Sequence, residues 1–305
     1  MGRYLIARLG QSALAVACVL VLVFFMVRLT GDPAVAMLPR EATAADVAAF
    51  RHAMGFDRPL AVQFWEFVRR AGVGDFGDSL QYRIPAWALV VERLPATLEL
   101  ALAALLVAVG VGVPLGVMAA TRPRSLWDLA AEGVGLAGQA VPAYWVGLLL
   151  ILVLSVHLGL LPVAGRSGPA SLLMPAVTLA LGALGRVTQL ARAAMAEALR
   201  QDYVRTAHGK GLGPAAVHYR HALRNAAIPL VTATAIDFGY MLGGAVLIES
   251  VFSWPGIGRL AAQAVLQRDF PLVQAVAFFA SLVVVGANLL ADLVYGALDP
   301  RIRHA

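Results

Sequence analysis

The chain has few cysteines, few lysines and little charge of either sign. Of its 305 residues one is cysteine, and only 14% are Asp, Glu, Lys or Arg. A single thiol forms no disulfide within the chain and offers neither a CxxC pair nor a thiolate metal site. We therefore interpret Cys18, which lies in an apolar run, as a packing residue. Soluble domains average about 25% charged residues, so the scarcity of charge argues against a soluble globular protein.

Long apolar runs take the place of charge, and apolar residues make up 60% of the sequence. A helix needs about 20 residues to cross a hydrocarbon core. Six stretches are long enough, at approximately 9–29, 96–121, 131–157, 172–194, 227–248 and 272–297. Gln139 and Pro142 predict a kink in the third. The sequence therefore predicts an all-α polytopic membrane protein with six transmembrane helices, of which the first is a retained signal anchor.

The distribution of basic residues predicts the orientation of these helices. Short cytoplasmic loops carry an excess of Arg and Lys, and the largest basic cluster follows the fourth span, between 192 and 224. Both termini are therefore predicted to be cytoplasmic. The segment 30–95 then lies outside, and its apolar residues at helical spacing predict a small helical extracytoplasmic subdomain. The remaining 96–305 forms the membrane core.

The segment 205–225, "RTAHGKGLGPAAVHYRHALRN", has no acidic residue and contains the only lysine, Lys210. A Walker A loop requires G-x-x-x-x-G-K followed by Ser or Thr. Here Gly211 follows the lysine, and Val204 stands where the first glycine would be. The segment therefore has no nucleotide-binding signature. Nucleic-acid binding is also disfavoured, because the positive charge is confined to one loop between membrane spans and the orientation rule accounts for it.

The same segment predicts a turn followed by a short helix. Glycines 209, 211 and 213 should break the helix that descends from the fourth span. Pro214 suits the first position of a new helix of about three turns. With ordinary α-helical spacing, Val217 and Arg220 share one face of that helix. Such a two-faced helix either rests on lipid headgroups or docks into a groove of a cytoplasmic partner.

At this point the sequence resembles a known family, the permeases of ATP-binding-cassette (ABC) importers in the dipeptide, oligopeptide and nickel branch. The signature is the loop "DYVRTAHGKGLGPAAVHYRHALRNAAIP". Further similar motifs are spread along the whole chain: "GDP" at 31–33, "GDFGDS" at 74–79, "LPATLELA" at 94–101, "VPAYWVG" at 141–147, "LPVAG" at 161–165, "ESVFSWPGIGRL" at 249–260 and "ALDPRIR" at 297–303. The combination is specific, although each motif alone is weak.

The resemblance implies the fold of a type I ABC importer permease, in which 205–211 is the EAA loop and the helix from Pro214 is the coupling helix. It implies that this loop docks on a separate ATPase subunit through Arg205, Gly211, Leu212, Val217, His218, Tyr219 and Arg220. It also implies a homologous second permease, two ATP-binding-cassette subunits that bind ATP and Mg, and an extracytoplasmic binding protein, all in a bacterial inner membrane. No catalytic residue, cofactor or metal is then expected in this chain.

Two polar residues inside the spans are candidates for the transport pathway. Charged groups at membrane depth are costly and usually face a partner or a wet cavity. Asp237, in the fifth predicted span, either attracts a cationic part of the substrate, such as a peptide amino terminus or a metal ion, or is paired or protonated within the protein. Asn288, in the sixth, either contacts substrate or forms an interhelical hydrogen bond.

The motif "FSWPGIG" predicts an external turn that contains Trp254 and Pro255. These two residues either gate the outer mouth and contact the binding protein, or anchor the turn at the membrane interface.

Two other classes of function are weaker. A self-contained secondary transporter is disfavoured because no internal repeat is evident. An intramembrane enzyme is disfavoured because neither HExxH nor GxSxG occurs. For the substrate we expect di- or oligopeptides, with nickel or another small solute such as glutathione or an opine as the alternative.

Overall fold

The structure is a computed structural model that describes residues 2–29, 34–35, 38 and 42–298. Within these residues the chain is helical, and the only extended pairing is an isolated bridge between Asp78 and Pro85. The prediction of an all-α fold is thus confirmed.

Four helices are described in the first part of the chain. They are α1 (Gly2–Leu29), α2 (Ala44–Ala53), α3 (Leu60–Ala71) and α4 (Ala86–Thr121). Thr43 begins α2 with a capping box, since its hydroxyl accepts a hydrogen bond from the backbone N–H of Asp46 while the Asp46 carboxylate accepts one from the backbone N–H of Thr43. Helix α4 begins ten residues before the apolar stretch that predicts it.

The remaining part alternates long helices with short ones. They are α5 (Leu126–Ala140), α6 (Ala143–Leu150), the π-helix π1 (Ile151–His157), α7 (Pro169–Ala198), α8 (Asp202–Gly209), the π-helix π2 (Ala216–Ala222), α9 (Leu223–Gly244), α10 (Val246–Val251), α11 (Ile257–Leu266) and α12 (Phe270–Leu298).

Three of the described helices are long and apolar enough to cross a membrane, and up to five spans result if each bent pair counts as one. The third predicted span is one such pair, since its two arms, Leu126–Ala140 and Ala143–His157, are bent by 106°. The break falls at Pro142, where the sequence predicts only a kink. Proline lacks the N–H that a continuous helix needs. The other pair, Ala216–Ala227 and Pro229–Gly243, is bent by 55°.

The chain divides into two compact units. The first comprises Met1–Thr97 and Pro255–Gly286. Its core contains a group of aromatic rings around Phe76, whose centroid lies 5.3 Å from that of Phe278 and 6.1 Å from that of Trp87. Aromatic pairs at such distances contribute about 0.5–1.5 kcal/mol each beyond the burial of their surface.

The second unit, Leu98–Trp254 with Ala287–Ala305, is packed through small residues instead. Helices α5 and α7 approach so closely that a Cβ on Gly138 would lie 2.7 Å from the carbonyl oxygen of Leu181, and one on Gly185 3.1 Å from that of Val134. Close approach of backbones at glycine is typical of helix pairs in membranes. This unit contains the candidate site.

Candidate functional site

The segment 205–225 folds into two short helices joined by a turn. Helix α7 ends at Ala198, before any of the three glycines, and α8 runs from Asp202 to Gly209. Gly209 is therefore helical, and the prediction that it breaks the helix is wrong. Gly211 makes the turn, since its φ of +78° lies in the left-handed region that glycine adopts without strain. The helical segment that follows begins at Pro214, as predicted.

The back of this segment is buried against its own chain. Val204 and Ala207 from α8, together with Val217 and Ala222 from π2, pack with Met195 of α7 and its neighbours. All are aliphatic and nearly inaccessible to solvent. The turn between the two helices therefore rests on a packed base.

The π-helix π2 contradicts two expectations from the sequence: that Val217 shares a face with Arg220, and that Val217 belongs to the docking surface. Val217 and Ala222 lie five residues apart and are both 0% exposed, because a π-helix repeats near i to i+5 where an α-helix repeats near i to i+4. Val217 therefore does not share a face with Arg220, which is exposed. Its side chain belongs to the internal base, so we leave it out of the candidate docking surface.

The front of the segment is open. We define the basic face as the exposed residues Arg205, Lys210, Leu212, Tyr219 and Arg220. Tyr219 is 56% exposed and Leu212 38% exposed. The acidic group of Asp202 lies 3.8 Å from Arg205, and both side chains are more than four-fifths exposed, so this pair neutralises little charge in water.

His218 lies beside the basic face and is half-buried. Burial, together with the positive charge of His208, lowers the pKa of the His218 imidazole below its ordinary value of 6.5. His218 is therefore held mainly in its neutral form. Chemically, the basic face combines guanidinium donors with an exposed aromatic ring and an exposed leucine, a combination suited to a protein groove that carries negative charge.

Asp237 lies in the second unit's interior and is paired with an arginine. One oxygen of its carboxylate, Oδ1, accepts hydrogen bonds from Nε of Arg186 at 2.9 Å and from Nη2 at 2.6 Å. The Asp237 side chain is 6% exposed, whereas that of Arg186 is 54% exposed. The sequence left two interpretations of Asp237 open, and the structure agrees with the one in which its carboxylate is paired within the protein. The side chain of Asn288 lies outside the described residues.

Trp254 lies in the turn that follows α10. We call the segment Glu249–Trp254, which includes the end of α10, the tryptophan turn. Trp254 is 0% exposed, so neither a gating contact at the surface nor an interfacial anchor describes it. The Arg166 guanidinium carbon lies 6.0 Å from its ring centroid, within the range of cation–π attraction. Arg166 also pairs with Glu99, at 2.6 Å between Nη2 and Oε2. Pro255 is partly exposed.

Arg186 lies within the fourth predicted span, 172–194, and the sequence assigns it no role. Its pairing with Asp237 joins residues 51 positions apart, and periodicity carries no information on which helices are neighbours. The signal available was the presence of one basic and one acidic residue at the depth of two apolar helices, since such charges tend to pair. In the part of the chain that the structure describes, no group of three His, Cys, Asp or Glu side chains converges on a possible metal site.

Comparisons with known proteins agree with this architecture. The family described as "Binding-protein-dependent transport system inner membrane component" matches residues 112–304, and the corresponding N-terminal family matches residues 1–101. The chain is 36% identical to the dipeptide transport system permease protein DppB of Escherichia coli (strain K12), over 100% of this chain and 99% of that protein.

Two further similarities extend the comparison. The chain is 37% identical to the glutathione transport system permease protein GsiC of Salmonella choleraesuis (strain SC-B67), over 100% of both chains. A chain in a solved inward-facing structure of the MetNI methionine ABC transporter matches with a TM-score of 0.57 at 19% identity, over 69% of this chain and 96% of that one. At that identity the likeness bears on the fold alone.

Proposed function

The chain belongs to the family of binding-protein-dependent transport system inner membrane components, and on that premise we propose that it forms half of the translocation pathway of an ATP-driven importer of di- or oligopeptides. A homologous second permease supplies the other half. An extracytoplasmic binding protein delivers the peptide, and two ATP-binding-cassette subunits bind and hydrolyse ATP with Mg. The chain itself has no ATPase site and performs no chemistry.

The observation that carries this proposal is the two-sided construction of the segment 205–225. Its back is packed on the chain through Val204, Val217 and their neighbours, while the basic face is open. A loop that transmits force must be firmly held on one side and accessible on the other. In the proposed mechanism, closure of the ATPase dimer moves this segment, and helices α7 and α9, which pack with its base, change orientation with it.

Switching of this kind requires that substrate interacts differently with the two states. The protein then binds and releases peptide without breaking a bond. The switch depends on rigid transmission through the base of the segment, so the aliphatic contacts of Met195 and Val217 position the docking surface without touching the partner.

The orientation and domain division follow from the same proposal. The basic face meets the ATPase in the cytoplasm, so both termini are cytoplasmic, and the segment 30–95 forms a subdomain on the opposite side. The prevalence of arginine in the segment 205–225 agrees with this orientation.

Peptides are the proposed substrate because the relatives named above transport a dipeptide and glutathione, itself a peptide. Nickel is the alternative that the family branch offers. The two are separated by uptake in cells: import of labelled dipeptide that unlabelled peptide reduces and nickel does not supports the proposal, and the reverse result contradicts it.

The docking role is tested with Tyr219→Ala and Arg220→Ala in the assembled transporter, each co-purified with the ATPase subunits. We expect weakened co-purification and reduced peptide uptake, because exposed aromatic and arginine side chains dominate many interfaces. Tyr144→Ala is the matched control, since Tyr144 is 45% exposed but lies outside the segment. Intact assembly and undiminished uptake in both variants would contradict the docking role.

A further inference from the structure

The ion pair between Arg186 and Asp237 is asymmetric in its exposure. The side chain of Asp237 is 6% exposed and that of Arg186 is 54% exposed, although two hydrogen bonds join them. The residues on either side of Arg186 along α7, Gly185 and Val187, are buried. The guanidinium is therefore the exposed member of this pair, and the carboxylate binds it on its buried side.

The position of Arg186 makes lipid an unfavourable neighbour for its exposed side. The residue lies within the 30-residue helix α7, which is long and apolar enough to cross a membrane, and Asp237 lies within the apolar arm Pro229–Gly243. A charged side chain at such depth is costly against hydrocarbon and usually faces a bundle interior or a water-filled cavity. The exposed side of Arg186 thus belongs to a wet space or a polar partner.

Among the residues that the structure describes, the hydrogen bonds leave a defined part of the guanidinium available to a ligand. The group has five N–H donors, and Asp237 accepts from Nε and Nη2 through one oxygen. Both N–H groups of Nη1 and the second N–H of Nη2 remain at the far end. Two parallel N–H donors in this arrangement match the two oxygens of a carboxylate.

Gly182, one turn before Arg186 on the same helix, keeps the approach to this end open. A Cβ built on Gly182 would lie 3.5 Å from Nη1 of Arg186, so a larger side chain there would crowd the free end. The side of the guanidinium next to Gly182 therefore has room for a ligand.

From these observations we propose that Arg186 binds the carboxylate of the passing peptide, and that Asp237 is a positioning residue that orients the guanidinium. This inference rests on the proposed function, because it assigns the substrate chemistry of the pathway. It replaces one of the two interpretations that the sequence leaves open for Asp237: the accessible charge is positive, so the pathway accepts a carboxylate, and the buried Asp237 does not take the peptide amino terminus.

The test uses the complete transporter with its binding protein and compares three variants. Arg186→Gln removes the charge, Arg186→Lys keeps the charge but loses the planar fork, and the double variant Arg186→Asp with Asp237→Arg restores an ion pair in reverse. Peptide uptake, ATPase activity and co-purification of the subunits are measured for each. Arg192→Lys is the matched control, since Arg192 lies on the same helix and pairs with Asp128 at 2.6 Å.

We expect Arg186→Gln to reduce peptide uptake about tenfold or more, which is the range for loss of a hydrogen bond to a charged group. Arg186→Lys should reduce uptake several-fold while the subunits stay assembled, because an ammonium cannot form two parallel bonds with the carboxylate. The reversed pair should restore assembly without restoring uptake. Arg192→Lys should leave uptake near the unsubstituted level.

Three results would overturn the inference. Uptake restored by the reversed pair would mean that the two residues only join α7 to α9. Uptake unchanged in Arg186→Gln would mean that no substrate contact exists, and unchanged uptake in Arg186→Lys would mean that the fork has no role. Failure of the proposed function has a different signature, because the unsubstituted transporter would then import no peptide at all.

Discussion

The segment 205–225 and the tryptophan turn both contain an aromatic residue and both connect apolar helices, but they differ in whether that aromatic residue is exposed. In the segment 205–225 the side chains of Val217 and Ala222 are buried, whereas Tyr219 is 56% exposed. In the tryptophan turn Trp254 is 0% exposed, beneath the guanidinium of Arg166. We propose that the first connection meets another protein, whereas the aromatic ring of the second is packed within its own chain.

The difference teaches that composition does not identify a contact surface in this protein. The segment 205–225 and the motif "ESVFSWPGIGRL" each contain an aromatic residue, glycine, proline and arginine, and a partner contact is one of the interpretations that the sequence leaves open for each. What separates them is whether the aromatic ring has a cation and packed neighbours within its own chain. Trp254 has both, whereas Tyr219 has no ring or cation contact among the described residues.

The largest effect is expected for Trp254→Ala, which should lower the stability of the protein. Removal of a fully buried aromatic side chain typically costs about 3–5 kcal/mol, so we expect a clear fall in the unfolding temperature of the purified protein in detergent. Tyr219→Ala should change the free energy of unfolding by no more than about 0.5 kcal/mol, as exposed substitutions usually do. Equal losses in the two variants would remove the distinction between the connections.

A smaller effect is expected in Gly211→Ala, which tests the turn that presents the basic face. A Cβ on Gly211 meets nothing within 4 Å, so the only penalty is its φ of +78°, about 1–2 kcal/mol for a residue with a Cβ. Gly213→Ala is the control, since it has equal space and no positive φ. We expect faster proteolysis of the segment 205–225 in Gly211→Ala alone, and equal rates in the two variants would contradict the turn's role.

The smallest expected effect is a pH dependence at His218. Because the pKa of His218 in the fold lies below 6.5, the folded segment disfavours the protonated imidazole. Its stability is therefore fully present above pH 6.5 and decreases as the pH falls through and below that value. Protection of the segment from proteolysis should decline between pH 7.5 and 5.5 in the unsubstituted protein and less so in His218→Gln. An equal decline in both would show that another group titrates.

The sequence predicted the elements that depend on summed properties. Hydropathy accumulates over about 20 residues, so the spans at 96–121 and 172–194 were found, and Pro214 started its helix where its missing N–H predicts. The sequence did not predict features that depend on the local helix type or on contacts between residues distant in the chain. The π-helical turn that buries Val217 carries no distinct residue pattern, and assuming 3.6 residues per turn placed that side chain on the wrong face.

The candidate site was predicted less completely than the fold for the same reason. Arg186 and Asp237 were both visible as charges within apolar stretches, but which helices are adjacent is a property of the packed structure. Trp254 was expected near a surface because its turn contains proline and glycine, which usually mark exposed loops. The structure brings Arg166, 88 positions earlier in the chain, to 6.0 Å from the centroid of its ring, a contact that exists only after the unit has packed.

The most direct test of the central claim, that the basic face is the surface which receives the ATPase, is site-specific cross-linking in the assembled transporter. Cys18 is replaced by serine, and Tyr219→Cys or the control Tyr144→Cys is labelled with a photoreactive thiol reagent. We predict an adduct with the ATPase subunit from Tyr219→Cys and none from Tyr144→Cys. An assembled, active transporter in which Tyr219→Cys forms no such adduct would contradict the claim.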